Sequence, residues 1–99
     1  MKVIMDLVKQ IDEELEGAKE YAESYIEWKS RGENDTYKRY KEMANDELKH
    51  SNYIHDIALS EIDRLENVFM PTEEMREIWK SSHAKYVEKT AWIRTMLNM

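Results

Sequence analysis

The sequence predicts an all-α fold, and three observations carry that prediction. Only two glycines and one proline interrupt the 99 residues, and these are the residues that helix interiors avoid. Apolar residues recur at spacings of three and four over long runs, which lays them along one helix face at ~100° per residue. No segment alternates with the period of two that a half-buried strand requires. A single helical domain over residues 1–99 is the consequence, with a core that is thin for a lone monomer.

The first helix is predicted from about Lys2 to Ser30. Val3, Ile4, Leu7, Ile11, Ala18, Tyr21, Ala22, Tyr25 and Trp28 make its apolar stripe, flanked by Val8 and Leu15. Arg31-Gly32-Glu33-Asn34-Asp35 then reads as a reverse connection. Gly32 suits the left-handed conformation that ends a helix, and Asn34 or Asp35 suits the cap of the next one.

A second helix is predicted from about Thr36 to Phe69, about 50 Å long at ~1.5 Å per residue. Its inner stripe is Tyr40, Met43, Ala44, Glu47, His50, Ser51, Ile54, Ala58, Ile62, Leu65 and Phe69. Asn67 to Pro71 breaks it, because Pro71 cannot continue a helix, and Thr72 is available as the cap of a third helix. That third helix takes Glu73 to about Asn98. Its stripe is looser and more aromatic: Met75, Ile78, Trp79, Ser82, Tyr86, Ile93, Met96 and Leu97, with Trp92 at the edge. The expected architecture is a long antiparallel hairpin with a third helix packed on it.

Composition narrows the function. The net charge of −6 argues against nucleic acid and anionic membrane as partners, since both reward basic patches. It is compatible with cations. The chain has no cysteine, so a metal would have to be held by carboxylates and imidazoles. Met1 to Lys9 contains Asp6 and no uninterrupted apolar run, so neither a signal peptide nor a membrane span is expected, and the expected location is the cytoplasm.

The stretch with chemical content is Asp46-Glu47-Leu48-Lys49-His50. A carboxylate and an imidazole three residues apart share one helix face, so both can reach one metal ion. Glu14 strengthens the pattern. It falls at the centre of the first stripe, whereas Glu13, Glu16, Glu20, Glu23 and Glu27 fall on other faces. A buried carboxylate without a partner is costly. Folding the hairpin about Arg31 to Asn34 brings Glu14 and Glu47 to nearly the same height, so that they converge with His50. Oxygen and imidazole ligands without thiolates suit iron or manganese, and zinc also fits.

The alternative is a polar network without metal, in which Glu and His satisfy each other and the hydroxyls of Tyr21 or Tyr40. Glu61 lies near the inner stripe but close to a helix end, where solvation is easy, and is the weaker ligand candidate. His55 and His83 flank their stripes and lack a Glu three positions earlier. They are expected to be surface or boundary residues. The tyrosines and tryptophans read as packing, and the outer Glu and Lys as solvated surface.

On these residues the chain resembles the ferritin-like di-iron carboxylate proteins. The segment from Glu13 to Tyr21 is similar to the first metal helix of that superfamily, with Glu14 followed seven residues later by Tyr21. Asp46 to His50 is similar to its Asp-Glu-x-x-His pattern, as in rubrerythrin-type helices. The match spans about the first two-thirds of the chain. A complete site in that family takes a Glu from each of two helices and Glu-x-x-His from each of two more. This chain holds half of that set, as the encapsulated ferritins do.

The resemblance therefore implies a four-helix-bundle core completed by homodimerisation, with two irons per dimer held by Glu14, Glu47 and His50, each contributed twice. It implies ferroxidase-type oxidation of Fe(II), with the same three residues as the catalytic ones. It places Tyr21 beside the metals and Asp46 where it can hydrogen-bond His50 of the partner subunit. A manganese- or iron-dependent peroxide scavenger would use the same ligands. The rival expectation is a non-catalytic helical oligomerisation module without metal. The segment Arg94 to Met99 carries no Gly-rich tail or cargo-loading peptide, which speaks against an encapsulin shell as partner.

Overall fold

A computed structural model describes residues 2–68 and 73–99 of the chain. Helices α1 (Lys2–Arg31), α2 (Thr36–Val68) and α3 (Glu73–Leu97) account for nearly all of them, and there is no strand among the described residues. The predicted boundaries agree to about one residue. Asn67 is a correction, because it lies inside α2 and not in a break. The expected end at Phe69, the Pro71 stop and the Thr72 cap lie outside the described residues.

The α1–α2 connection forms as its residues dictate. Gly32 takes a φ of 65°, a left-handed conformation that costs glycine little and most other residues more. Asn34 Oδ1 accepts the Thr36 backbone N–H at 2.8 Å, satisfying one of the donors left free at a helix start. Lys29 and Arg31 in the last turn of α1, and Glu73 and Glu74 in the first turn of α3, have the sign that each helix dipole end favours.

α2 runs back along α1, and α3 returns along α1 on one side of the hairpin, giving a rod of 56 × 17 × 17 Å. The core joins Ile11, Leu15, Ala18 and Ala22 of α1 to Ala44 and Leu48 of α2 and to Ile93, Met96 and Leu97 of α3. Ala18, Ala22 and Ala44 are wholly buried, and their small side chains let the α1 and α2 backbones approach closely. The larger ones supply most of the burial energy, at about 1.5–3 kcal/mol for each fully buried Leu or Ile.

The buried faces are rotated from the predicted stripes, and this corrects the sequence reading. Leu15, expected on a flank, is wholly buried, while Val3, expected inside, is 51% exposed. On α2, Leu48 and His55 are buried, whereas Met43 and His50 are exposed. The cause is that α3 covers only one side of the hairpin. Both long helices turn their best apolar residues toward it, and the far edge of each predicted stripe is left without cover. Glu14 and Glu47 therefore sit half-buried at that edge and not on the midline.

Candidate metal centre

Glu47 and His50 stand one turn apart on the uncovered edge of α2, and the antiparallel pairing brings Glu14 of α1 opposite them. His50 Nδ1 lies 3.4 Å from Glu14 Oε2 and 3.8 Å from Glu47 Oε1. One ligand atom from each of the three residues falls within 4.8 Å of the others, the one such group among the described residues. Metal–ligand bonds of about 2.0–2.2 Å place donors on a shared ion about 3–4.4 Å apart. Small side-chain adjustments thus bring this donor set onto one ion, and its carboxylate–imidazole chemistry fits iron, manganese or zinc.

The electrostatics point the same way. A hydrogen bond with Glu14, helped by partial burial and by the charge of Glu14, raises the Glu47 carboxyl from 4.5 to about 7, against the opposing pull of His50. Two carboxylates this close repel each other, which favours a proton or a cation shared between them. Gly17, one turn beyond Glu14, faces this pair: a Cβ built there would lie 3.1 Å from Glu47 Oε2. A glycine in a helix interior costs about 1 kcal/mol relative to alanine, and the carboxylate lying against it is a structural reason for its presence.

The other sequence candidates are placed apart from this cluster. Tyr21, two turns beyond Glu14, packs its ring against Tyr40 at 6.4 Å, and Tyr40 stacks with Trp28 at 6.5 Å. Asp46 is exposed and acts on Glu47 by repulsion, the smallest cause of its raised pKa. Glu61 pairs with Arg64 at 2.9 Å, as a carboxylate near a helix end readily does.

A second polar cluster is not legible from the sequence alone. His55, expected at a surface or boundary, is 7% exposed. It stacks on Tyr86 at 4.2 Å with 15° between the rings, and Trp79 lies 5.2 Å away. Its Nε2 hydrogen-bonds His83 Nδ1 at 2.9 Å. Tyr86 donates its hydroxyl to Asn52 Oδ1. Burial, then the charge of His83, hold His55 below its usual 6.5. His83 itself is exposed, as expected. The one signal is the spacing Trp79, His83, Tyr86 on α3 opposite His55 and Asn52 on α2, which is visible only once the two helices are placed in register.

Among the described residues no helix is long and apolar enough to cross a membrane. Comparison with known proteins yields no match to a protein-family model, a curated protein or a solved structure.

Proposed function

We propose that the chain binds iron through Glu14, Glu47 and His50 at a two-metal site completed by a second copy, and that Fe(II) bound there is oxidised. The observation that carries the proposal is the convergence of two carboxylates and one imidazole from two helices, with one ligand atom of each within 4.8 Å of the others. Three supports stand beside it. The three ligands are half of the set that a di-iron carboxylate bundle uses. The cluster opens to solvent, with the His50 side chain 53% exposed. Met43, His50 and Ile57, spaced by seven along one edge of α2, leave exposed apolar surface on either side of the imidazole. A two-fold partner laid on that edge would bury the apolar residues and double the ligands.

Each residue then has a task. His50 would hold one ion through Nδ1, the ring nitrogen that faces both carboxylates. Glu14 and Glu47 would hold the ions between the two copies and neutralise their charge. Asp46 would orient His50 of the partner subunit, and Tyr21, two turns from Glu14, packs with Tyr40 toward the helix connection. Bound iron supplies the redox chemistry: two Fe(II) give up two electrons, which with two protons reduce one dioxygen to hydrogen peroxide. Peroxide in place of dioxygen takes the same two electrons to water, and comparing the two oxidants separates a ferroxidase from a peroxide scavenger.

The test is anaerobic Fe(II) titration followed by oxidation kinetics for the wild type, Glu47→Ala and His50→Ala. Loss of stoichiometric binding in both variants is expected. Binding and oxidation left intact in both would sink the proposal. A second reading, an oligomerisation module without metal, is favoured by one observation: His50 already gives both carboxylates a partner, at 3.4 Å and 3.8 Å. It requires pure protein to oligomerise without taking up metal.

A further inference from the structure

We infer that Gly17 is a positioning residue of this centre: the side chain missing at 17 is the seat that holds the Glu47 carboxylate beside Glu14 and His50. The inference rests on the metal reading of the site and adds to it a residue that is not itself a ligand.

The two glycines of the chain have different reasons to be there. Gly32 ends α1 with positive φ and nothing within 4 Å of a built Cβ, so backbone conformation explains it. Gly17 lies in the middle of α1 with ordinary helical backbone, where alanine would be the better residue. What distinguishes Gly17 is its neighbour. A Cβ there would meet Glu47 Oε2 at 3.1 Å, Cδ at 3.6 Å and Cγ at 3.7 Å. Every one of those contacts is with the same side chain, and the tightest is with a ligand atom.

The helix geometry shows why the seat is at 17. Glu14 and Gly17 are neighbours one turn apart on α1. Glu47 reaches across from α2, its carboxylate 3.8 Å from the His50 ring nitrogen that also faces Glu14 and lying over the bare backbone at 17. An alanine would push the carboxylate by a few tenths of an ångström. Glu47 is flexible enough to yield without unfolding anything. A displacement of that size uses up most of the about 0.5 Å within which a site must hold its donors, so the Glu47 oxygen has less room to adjust onto the ion and affinity falls. The fold and the site thus pull in opposite directions at position 17.

The experiment is Gly17→Ala with two readouts. Metal-free Tm is expected to rise, by about 4 °C, while Mn(II) affinity falls about tenfold, the lower end of what losing a ligand's support costs. Mn(II) serves as the probe because it binds without oxidation. A thermal double-mutant cycle with Glu47→Ala reads the contact directly and needs no metal. The Tm gain from Gly17→Ala should be larger when Glu47 is absent, since nothing then has to move.

Equal Tm gains in both backgrounds would mean that the Cβ and the carboxylate do not meet, and would overturn the seat. A positive cycle with unchanged Mn(II) affinity would overturn the positioning role and leave the metal reading standing. Wild-type protein that takes up no Mn(II) or Fe(II) overturns both.

Discussion

Two imidazoles five residues apart on α2 have opposite surroundings. His50 lies beside two carboxylates on the open edge of the hairpin, with more than half of its side chain in solvent. His55, turned about 140° around the helix, is buried under the Tyr86 ring and bonded to His83. The placement of α3 makes the difference. On the side it covers, polar groups are stacked and hydrogen-bonded, and they hold helices together. On the side it leaves open, two carboxylates and an imidazole from two helices converge at the solvent edge.

The sharpest way to break this comparison is to exchange readouts between the clusters. His50→Ala and Glu47→Ala are expected to weaken Mn(II) or Fe(II) binding by at least about 100-fold while moving stability little, since both side chains are at the surface edge. His55→Ala is expected to do the reverse. It should cost about 2–3 kcal/mol in urea unfolding, from a lost buried ring and its stacking on Tyr86, with metal affinity unchanged. A His55 variant that loses metal, or a His50 variant that unfolds, would contradict the division of labour.

Stability should respond to pH with opposite sign at the two sites. Folding holds His55 below its usual 6.5, so the unfolded chain binds that proton more readily. Its contribution is full above pH 6.5 and is lost as the pH falls below that value. Glu47 is raised from 4.5 to about 7. Its contribution is full below pH 4.5 and is lost as the pH rises through about 7. In metal-free protein, Glu47→Gln should remove only the loss on the neutral side, and His55→Phe only the loss on the acid side. The Glu47 effect is on the order of 1 kcal/mol, after allowing for solvent at the open edge. Urea midpoints measured across this pH range decide it, and a change on the same limb in both variants would mean that the clusters are not separable.

Smaller effects refine the picture. Tyr86→Phe removes the hydroxyl that bonds Asn52 and should cost about 1 kcal/mol, read by thermal unfolding, with no change in metal affinity. Glu61→Gln breaks the exposed pair with Arg64 and should alter neither Tm nor Mn(II) binding. A metal deficit in Glu61→Gln would enlarge the site beyond its three residues.

Much of this is legible in the sequence. Gly32, Asn34 and the 3.6-residue periodicity suffice for three helices and their ends, because local backbone preference and one apolar face decide them. Glu14, Glu47 and His50 are legible as a set because hairpin register is fixed by the turn position alone. Their depth is not. A stripe shows which face is apolar but not which part of it the third helix will cover. Periodicity therefore sets Leu15 and His55 too far out, and Val3, Met43 and His50 too far in. The His55–His83–Tyr86 cluster is hidden for the same reason. It exists only where α3 meets α2, and the register of that meeting runs through residues whose spacing carries no ligand pattern. Gly17 gives no signal in the sequence because its reason lies on another helix.

The most direct test of the central claim is iron content per chain after anaerobic Fe(II) loading and gel filtration, with absolute mass measured on the same peak. The expected result is about one iron per chain in an even-numbered oligomer, the stoichiometry of a two-metal site shared across a two-fold axis. Iron-free protein that nonetheless elutes as a stable oligomer would contradict it, and would make the open edge of the hairpin a surface for assembly alone.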